Sequence, residues 1–128
     1  MVLIIEDDAQ LALMLRMFFE DEGFASLYAE SAEEGLALDQ ERRPEIIVCD
    51  LYLPGISGLM LAAAIKADPA LAHTYLIAIT GSPSCETSKE ALGAGFDLFI
   101  AKPFHPAELV EQVQRIEYKM RLLEEAGW

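Results

Sequence analysis

Short apolar runs alternate along this chain with segments whose apolar residues repeat at helical spacing. The first run is Val2–Ile5, after which Leu11, Leu15 and Phe19 follow one face of a helix. The run at residues 75–79 has no polar residue after Tyr75, as expected for a central strand buried on both faces. Strict alternation of strands and helices in one short chain predicts a parallel sheet covered by helices, with right-handed crossovers.

Capping and breaking residues indicate where the elements begin and end. Gly23 closes the first helix and Pro44 stops the second, while Pro83 opens the fourth. Ser31 and Glu34 match a capping box, in which the serine hydroxyl accepts from the Glu34 amide. The predicted strands cover residues 2–5, 24–29, 45–49, 75–79 and 96–101, with helices between them and a last helix from about 105 to 125.

The turn after the first strand distinguishes between the two common doubly wound sheets. A dinucleotide-binding sheet has a glycine-rich turn there, but this chain has Glu6, Asp7 and Asp8, which would repel a pyrophosphate. We therefore predict a flavodoxin-like, doubly wound, five-stranded parallel α/β sheet of order 2-1-3-4-5, with helices on both faces. In that order strands one and three are neighbours, so Glu6, Asp7 and Asp50 should converge.

Four strands of the predicted sheet end in polar side chains. Glu6 and Asp7 follow the first strand, Asp50 ends the third, Thr80 ends the fourth and Lys102 follows the fifth. Because parallel strands bring their carboxyl ends to one edge, these groups should form one site. Carboxylates, a hydroxyl and an ammonium are what a site for a divalent cation and a phosphoryl group needs.

Composition restricts the setting of this site. The chain has 128 residues and 53% hydrophobic content, which predicts a single domain over residues 1–128. A net charge of −13, with 9 basic against 22 acidic residues, argues against direct nucleic-acid binding. The sequence contains neither an apolar stretch of the ~20 residues that a membrane helix needs nor a signal peptide, so we expect a cytoplasmic protein without membrane contact.

Neither the cysteines nor the histidines form a pattern typical of a metal site. Cys49 and Cys85 are too few and too far apart for a disulfide framework or a zinc site, and Cys49 is expected to pack as a small hydrophobe. His73 and His105 have no ligand partner at metal spacing and are expected at the surface. Asp8 is expected to cap the first helix rather than to bind metal.

The segments at residues 4–8, 50–55, 80–81, 94–95 and 102–104 resemble, in order and spacing, the receiver domain of two-component response regulators of the bacterial chemotaxis-regulator type. The resemblance implies that Asp50 accepts a phosphoryl group from a histidine kinase or a histidine phosphotransfer protein. It also implies that Asp7, Asp50 and the backbone carbonyl of Tyr52 bind Mg²⁺, with Mn²⁺ as a substitute, and that Glu6 assists through water.

The same resemblance assigns roles to three residues near the phosphoryl group. It implies that Lys102 contacts the phosphoryl oxygens, that Thr80 donates a hydrogen bond to them, and that Phe99 is the aromatic switch. The face formed by the fourth helix, fifth strand and fifth helix would respond. A cis peptide before Pro103 would direct Lys102 into the site.

Some positions depart from the commonest pattern of that family. Glu6 stands where an Asp is more usual, which lengthens the arm and favours contact with the metal through water. Phe99 lacks the hydroxyl that many members carry, while Tyr52 and Ser82 flank the phosphoryl position. Since three carboxylates in one pocket repel one another, at least one should have a raised pKa in the absence of a cation.

Two other classes of function are alternatives to a phosphoacceptor. A phosphatase of the haloacid-dehalogenase type needs a second Asp two residues after the nucleophile, where this chain has Tyr52. A degenerate receiver that only binds partners would not need the intact set Asp7, Asp50, Thr80 and Lys102. We therefore expect a signalling domain that assists its own phosphorylation and dephosphorylation, not an enzyme acting on external substrates.

The last helix carries an apolar heptad seam that is longer than the surface of a compact receiver can cover. Its members step by four, three, four and three residues: Leu109, Val113, Ile116, Met120 and Leu123. The inner part should cover the sheet. One interpretation is a longer helix that simply packs on its own domain. The other is that residues 118–128 form a helical extension or linker, which either mediates a homodimer or leads into a fused output domain.

Overall fold

The computed structural model describes residues 1–81 and 85–127, except the side chains of residues 85–87. Its strands and helices alternate without exception: β1 (Val2–Ile5), α1 (Ala9–Asp21), β2 (Ser26–Ala29), α2 (Ala32–Arg42), β3 (Ile46–Asp50), α3 (Gly58–Ala67), β4 (Tyr75–Thr80), α4 (Cys85–Ala94), β5 (Leu98–Ala101) and α5 (Pro106–Glu125). All pairings are parallel and the order is β2-β1-β3-β4-β5. The predicted flavodoxin-like sheet is confirmed.

The second and fifth strands each begin two residues later than their apolar runs predict. Phe24 donates its amide proton to Phe19 at 3.0 Å, and Phe96 donates to Ala91 at the same distance. Each amide therefore closes the end of the preceding helix and does not join the sheet, although the side chain of Phe96 is buried. The predicted helix start at Pro83 lies outside the described residues.

Two apolar clusters cover the two faces of the sheet, because successive residues of each strand point to opposite sides. Leu3, Ile5 and Cys49 belong to the cluster beneath α2, α3 and α4. Val2 and Val48 belong to the cluster beneath α1 and α5. The Cys49 side chain is fully buried, as its position in an apolar strand predicts. Within residues 1–81 and 85–127, no helix is long and apolar enough to span a membrane.

Side-chain caps fix the starts of four of the described helices, among them α3, where Ser57 accepts from the Met60 amide at 3.3 Å. Asp8 accepts hydrogen bonds from the amides of Gln10 and Leu11 at 3.0 and 3.2 Å, which confirms that it caps α1. Ser31 accepts from the Glu34 amide at 3.2 Å, while the Glu34 carboxylate accepts from residue 30 and not from Ser31. The exposed His105 caps α5 by accepting from the amide of residue 107 through Nδ1.

Candidate functional site

The acidic residues at the ends of β1 and β3 meet at one edge of the sheet. Ile5 pairs with Cys49, so the residues that follow them, Glu6 and Asp50, are adjacent. Carboxylate oxygens of Glu6, Asp7 and Asp50 lie within 4.8 Å of one another, which confirms the predicted convergence. Glu6 and Asp50 are buried, with 1% and 7% exposure, whereas Asp7 is exposed.

Lys102 brings a positive charge to the same site from the end of β5. Its Nζ donates to Glu6 Oε2 at 3.0 Å and to Asp50 Oδ2 at 3.1 Å. The Lys102 amide bonds to the carbonyl of Thr80 at 2.7 Å, and the peptide bond to Pro103 is cis. The ammonium group therefore bridges two carboxylates from different strands.

Burial changes the protonation behaviour of Glu6. Loss of hydration raises the pKa of Glu6 to about 7, and the charge of Asp50 adds to that effect. The hydrogen bonds from Lys102 and from the Asp8 amide oppose it. The raised pKa predicted from charge repulsion is thus present, but burial is its larger cause.

Lys102 responds in the opposite sense to the same surroundings. Burial acts to lower the pKa of Lys102, but its hydrogen bonds to Glu6 and Asp50 outweigh that effect. The pKa of Lys102 is therefore raised, and the group remains a cation at neutral pH. The ammonium therefore offsets the negative charge of the Asp50 carboxylate that it contacts.

The loop after β3 is built closely around Asp50. The Tyr52 amide donates to Asp50 Oδ1 at 3.1 Å, and the Tyr52 side chain is 57% exposed. Gly58 starts α3 so near the strand end that a Cβ there would lie 2.6 Å from the Asp50 carbonyl oxygen. Only a residue without a side chain allows this approach.

Thr80 lies on β4, the neighbour of β3, and Phe99 lies on β5, the next strand of the sheet. Thr80 ends β4 and is fully buried, one residue beyond Ile79, which pairs with Asp50. Phe99 is half-buried and packs against the apolar cluster beneath α2, α3 and α4. Ser82, predicted to flank the phosphoryl position, lies outside the described residues.

The donor set suits a hard divalent cation. Mg²⁺ and Mn²⁺ prefer carboxylate and carbonyl oxygens, and the cluster of Glu6, Asp7 and Asp50 provides three carboxylates. With Glu6 and Asp50 buried, a cation would relieve repulsion that water does not screen. The residues present therefore fit the ion that the sequence predicts.

Two acidic residues of α2 have environments that the sequence did not reveal. Glu33 accepts a hydrogen bond from the Ile56 amide at 3.1 Å, although it lies 23 residues earlier in the chain. Asp39 is fully buried, and neither of its carboxylate oxygens has a hydrogen-bond partner in the described structure. No local motif identifies either situation, because each depends on which face of α2 meets its neighbours.

The fold and the site together define a signalling receiver: a doubly wound sheet with buried carboxylates and a lysine at the carboxyl ends of its strands. Residues 2–114 match the family model of the response regulator receiver domain. The chain belongs to this family and is a receiver domain of two-component signalling.

Similar proteins support the same assignment. The chain is 32% identical to the phosphate regulon transcriptional regulatory protein PhoB of Pseudomonas aeruginosa, over 90% of this chain and 50% of PhoB. It is 34% identical to the DNA-binding response regulator MtrA of Mycobacterium tuberculosis, over 88% of this chain and 48% of MtrA. The chain thus spans about half the length of these relatives.

A solved structure with the same architecture comes from a chemotaxis protein. CheY4 of Vibrio cholerae superposes with a TM-score of 0.84 at 26% identity, covering 89% of this chain and 95% of CheY4. The likeness extends over nearly the whole of both chains. It therefore agrees with the predicted resemblance to the chemotaxis-regulator type.

Proposed function

We propose that Asp50 is the phosphoacceptor of this receiver and takes a phosphoryl group from a histidine kinase or a histidine phosphotransfer protein. The observation that carries the proposal is the position of the Asp50 carboxylate, with Glu6 and Asp7 within 4.8 Å and the Lys102 ammonium at 3.1 Å. Phosphoryl transfer requires mainly positioning and neutralisation of charge, and this arrangement offers both.

In the proposed step, an oxygen of Asp50 attacks the phosphorus of a phosphohistidine. A P–O bond forms as the P–N bond breaks, and the imidazole nitrogen leaves with the bonding pair and takes up a proton. Asp50 needs no general base, because the attacking oxygen of a carboxylate carries no proton that must be removed. Lys102 would exchange its bond to Asp50 for contacts to the phosphoryl oxygens and so stabilise the added charge.

Asp7, Asp50 and the Tyr52 carbonyl are the residues that would hold Mg²⁺, with Glu6 assisting through water and Mn²⁺ as a substitute. A bound divalent cation neutralises the carboxylates and the charge of the phosphoryl oxygens. The same groups would also assist attack by water on the acyl phosphate. The domain is therefore proposed to promote its own phosphorylation and dephosphorylation without acting on an external substrate.

Thr80 and Phe99 are proposed to carry the state of Asp50 to the surface. The Thr80 hydroxyl would donate to the phosphoryl oxygens, and the space it vacates would admit the ring of Phe99. Support comes from their placement, since Thr80 is buried beside β3 and Phe99 is only half-buried on β5. The responding face is that of α4, β5 and α5.

The chain is proposed to be one receiver domain over residues 1–128 that acts in the cytoplasm. PhoB is a transcriptional regulatory protein and MtrA is DNA-binding, which suggests a separate output domain or partner for any action on DNA. The net charge of −13 argues against DNA contact by the receiver itself.

Residues 118–128 are proposed to be an extension that forms a homodimer or leads into an output domain. It is helical only as far as Glu125, since Ala126 caps α5, and residue 128 lies outside the described residues. Burial along the seam supports the proposal, because Leu109 and Val113 are fully buried, Ile116 is 9% exposed and Leu123 is 54% exposed. The inner side of the extension lines a cleft of about 300 Å³ beside the starts of β1 and β3. On its outer side, Tyr118 and Leu122 are 57% and 45% exposed.

The phosphoacceptor assignment is tested by incubating the full chain with acetyl phosphate and Mg²⁺ and locating the modification by mass spectrometry. We expect one phosphoryl group on Asp50 and none after chelation of the metal. Asp50→Asn should remain unmodified, whereas Asp21→Asn, at an exposed position on α1, should react as the unaltered chain does. Modification that persists in Asp50→Asn would exclude the proposed acceptor.

A further inference from the structure

The loop between β3 and α3, residues 51–57, carries Tyr52 and therefore part of the proposed cation site. Its two ends are held within the sheet region: Leu51 donates to the carbonyl of Ile79 at 3.1 Å, and the Gly58 amide donates to Leu51 at 3.0 Å. In the described structure, residues 52–56 have one hydrogen bond to a helix, from the Ile56 amide to Glu33 Oε1 at 3.1 Å.

The backbone of this loop lies in close contact with the Glu33 carboxylate. Gly55 has a φ of +82°, a conformation that side chains disfavour, and a Cβ at this position would lie 2.7 Å from Glu33 Oε1. The Glu33 carboxylate thus occupies the space that a side chain at residue 55 would need. This close approach and the hydrogen bond from Ile56 join the loop to the first turn of α2.

Glu33 is itself held by the first turn of α2. Ser31 caps that turn, and free amides at a helix start favour a negative side chain nearby. The Ile56 amide is the first cause of a lowered pKa at Glu33, so the group stays ionised at neutral pH. A hydrogen bond to an ionised acceptor is stronger than one between neutral groups.

We propose that Glu33 is a positioning residue for the cation site. By accepting a hydrogen bond from the Ile56 amide, it holds the β3–α3 loop in place. Asp50 and the Tyr52 carbonyl are then arranged for a divalent cation before the cation binds. The inference rests on the proposed metal site. Helix α2 would then influence the affinity of the site for the cation, although it contributes no ligand. The physical basis is preorganisation, since a loop that is already ordered loses less entropy on binding.

The test compares Mg²⁺ binding to the full chain and to three variants by isothermal titration calorimetry. Glu33→Ala removes the acceptor and should weaken Mg²⁺ binding about fivefold, the effect of losing one hydrogen bond. Glu33→Gln keeps an oxygen that accepts from Ile56 but removes the charge, and it should bind within about twofold of the unaltered chain. Glu41→Ala, which removes an exposed carboxylate farther along α2, is the matched control and should not change binding.

A second readout separates positioning of the loop from general destabilisation. At saturating Mg²⁺, the rate of phosphorylation by acetyl phosphate should be nearly the same in Glu33→Ala and the unaltered chain, because the metal then orders the loop. Amide exchange at Ile56 should be faster in Glu33→Ala before metal is added, while thermal unfolding of Glu33→Ala and Glu41→Ala should be similar.

The outcomes distinguish this inference from the proposed function. Equal Mg²⁺ affinity in the unaltered chain and Glu33→Ala would overturn the positioning role and leave the metal site standing. Equal losses in Glu33→Gln and Glu33→Ala would overturn it as well, since charge and not the hydrogen bond would then be responsible. Failure of the unaltered chain to bind Mg²⁺ would overturn both the metal site and the positioning role.

Discussion

The ammonium of Lys102 lies 3.0 Å from the Oε2 of Glu6, across 96 residues of sequence. Glu6 is almost fully buried, while the Lys102 side chain is 24% exposed, so the cation is partly hydrated and its partner is not. Attraction between these groups offsets part of the cost of burying the Glu6 carboxylate. The same lysine is therefore part of the stability of the fold as well as of the proposed chemistry.

Replacing Lys102 with Met should destabilise the fold at pH 8 by about 2 kcal/mol, because the buried carboxylates of Glu6 and Asp50 would lose their charge partner. The loss should be smaller at pH 5, where Glu6 is protonated. Urea unfolding at the two pH values measures both effects. Lys89→Met, which removes an exposed lysine of α4, serves as the control and should change stability by less than about 0.5 kcal/mol. An equal loss at both pH values would contradict the role of the Glu6 charge.

Binding of Mg²⁺ should weaken as the pH falls through 7. The pKa of Glu6 is raised to about 7, so below this pH the incoming cation must displace a proton. We expect about tenfold weaker binding at pH 6 than at pH 8 and release of close to one proton at pH 6. Calorimetry in buffers of different ionisation enthalpy measures the proton release. Glu6→Gln should lose most of this pH dependence, and an unchanged dependence in that variant would implicate another group.

Asp39→Asn should make the protein more stable at pH 8 by about 1–2 kcal/mol, because it removes a buried charge to which none of the described residues donates a hydrogen bond. Burial, with a contribution from Asp68, raises the pKa of Asp39 from 3.8 to about 6. The folded state therefore binds more protons than the unfolded state between these values. The penalty is fully present above pH 6 and disappears as the pH falls towards 4.

The stability gained by Asp39→Asn should accordingly shrink when unfolding is measured at pH 4.5. Glu41→Gln, an exposed change on the same helix, should show neither the gain nor the pH dependence. A gain of the same size at pH 4.5 and pH 8 would indicate a packing effect and contradict the assignment to charge.

Beryllofluoride, a mimic of the phosphoryl group, should draw Thr80 towards Asp50 and turn the half-buried ring of Phe99 further inward. A fluorinated phenylalanine at position 99 reports this change by NMR. Thr80→Ala should bind the mimic without moving the ring of Phe99. Thr74→Ala is the control: Thr74 is a buried threonine that directly precedes β4, at the end opposite Thr80, and its loss should leave the ring movement intact. If the ring stays in place in the unaltered chain, the switch is contradicted while phosphorylation of Asp50 is not.

Sedimentation of the full chain and of a version ending at Glu117 tests the dimer branch for the α5 extension. Tyr118, Leu122 and Leu123 are 57%, 45% and 54% exposed, and their burial between two copies would favour a dimer. A full-length variant with Leu122→Ser and Leu123→Ser keeps the helix and should be monomeric if these residues form the contact. Monomeric behaviour of all three proteins, with and without phosphorylation, would leave only the output-domain branch.

The order of the elements and the location of the site can be predicted from the amino-acid sequence. Apolar runs and helical repeats are local patterns, and the end of a parallel strand is a place that the pattern alone identifies. The positions of Glu6, Asp50 and Lys102 at strand ends therefore predict that they share one edge of the sheet. The turn after β1 selected the strand order by its charge, since acidic residues there do not suit a pyrophosphate.

Tertiary structure alone decided how deeply each charged group is buried and which distant group it contacts. Repulsion among carboxylates predicted a raised pKa, but burial is the larger cause at Glu6. The bond from Ile56 to Glu33 and the unsatisfied carboxylate of Asp39 depend on how α2 is rotated against its neighbours. Hydration and Coulomb interactions depend on distances in space between residues far apart in sequence, and such distances exist only once the helices have packed on the sheet.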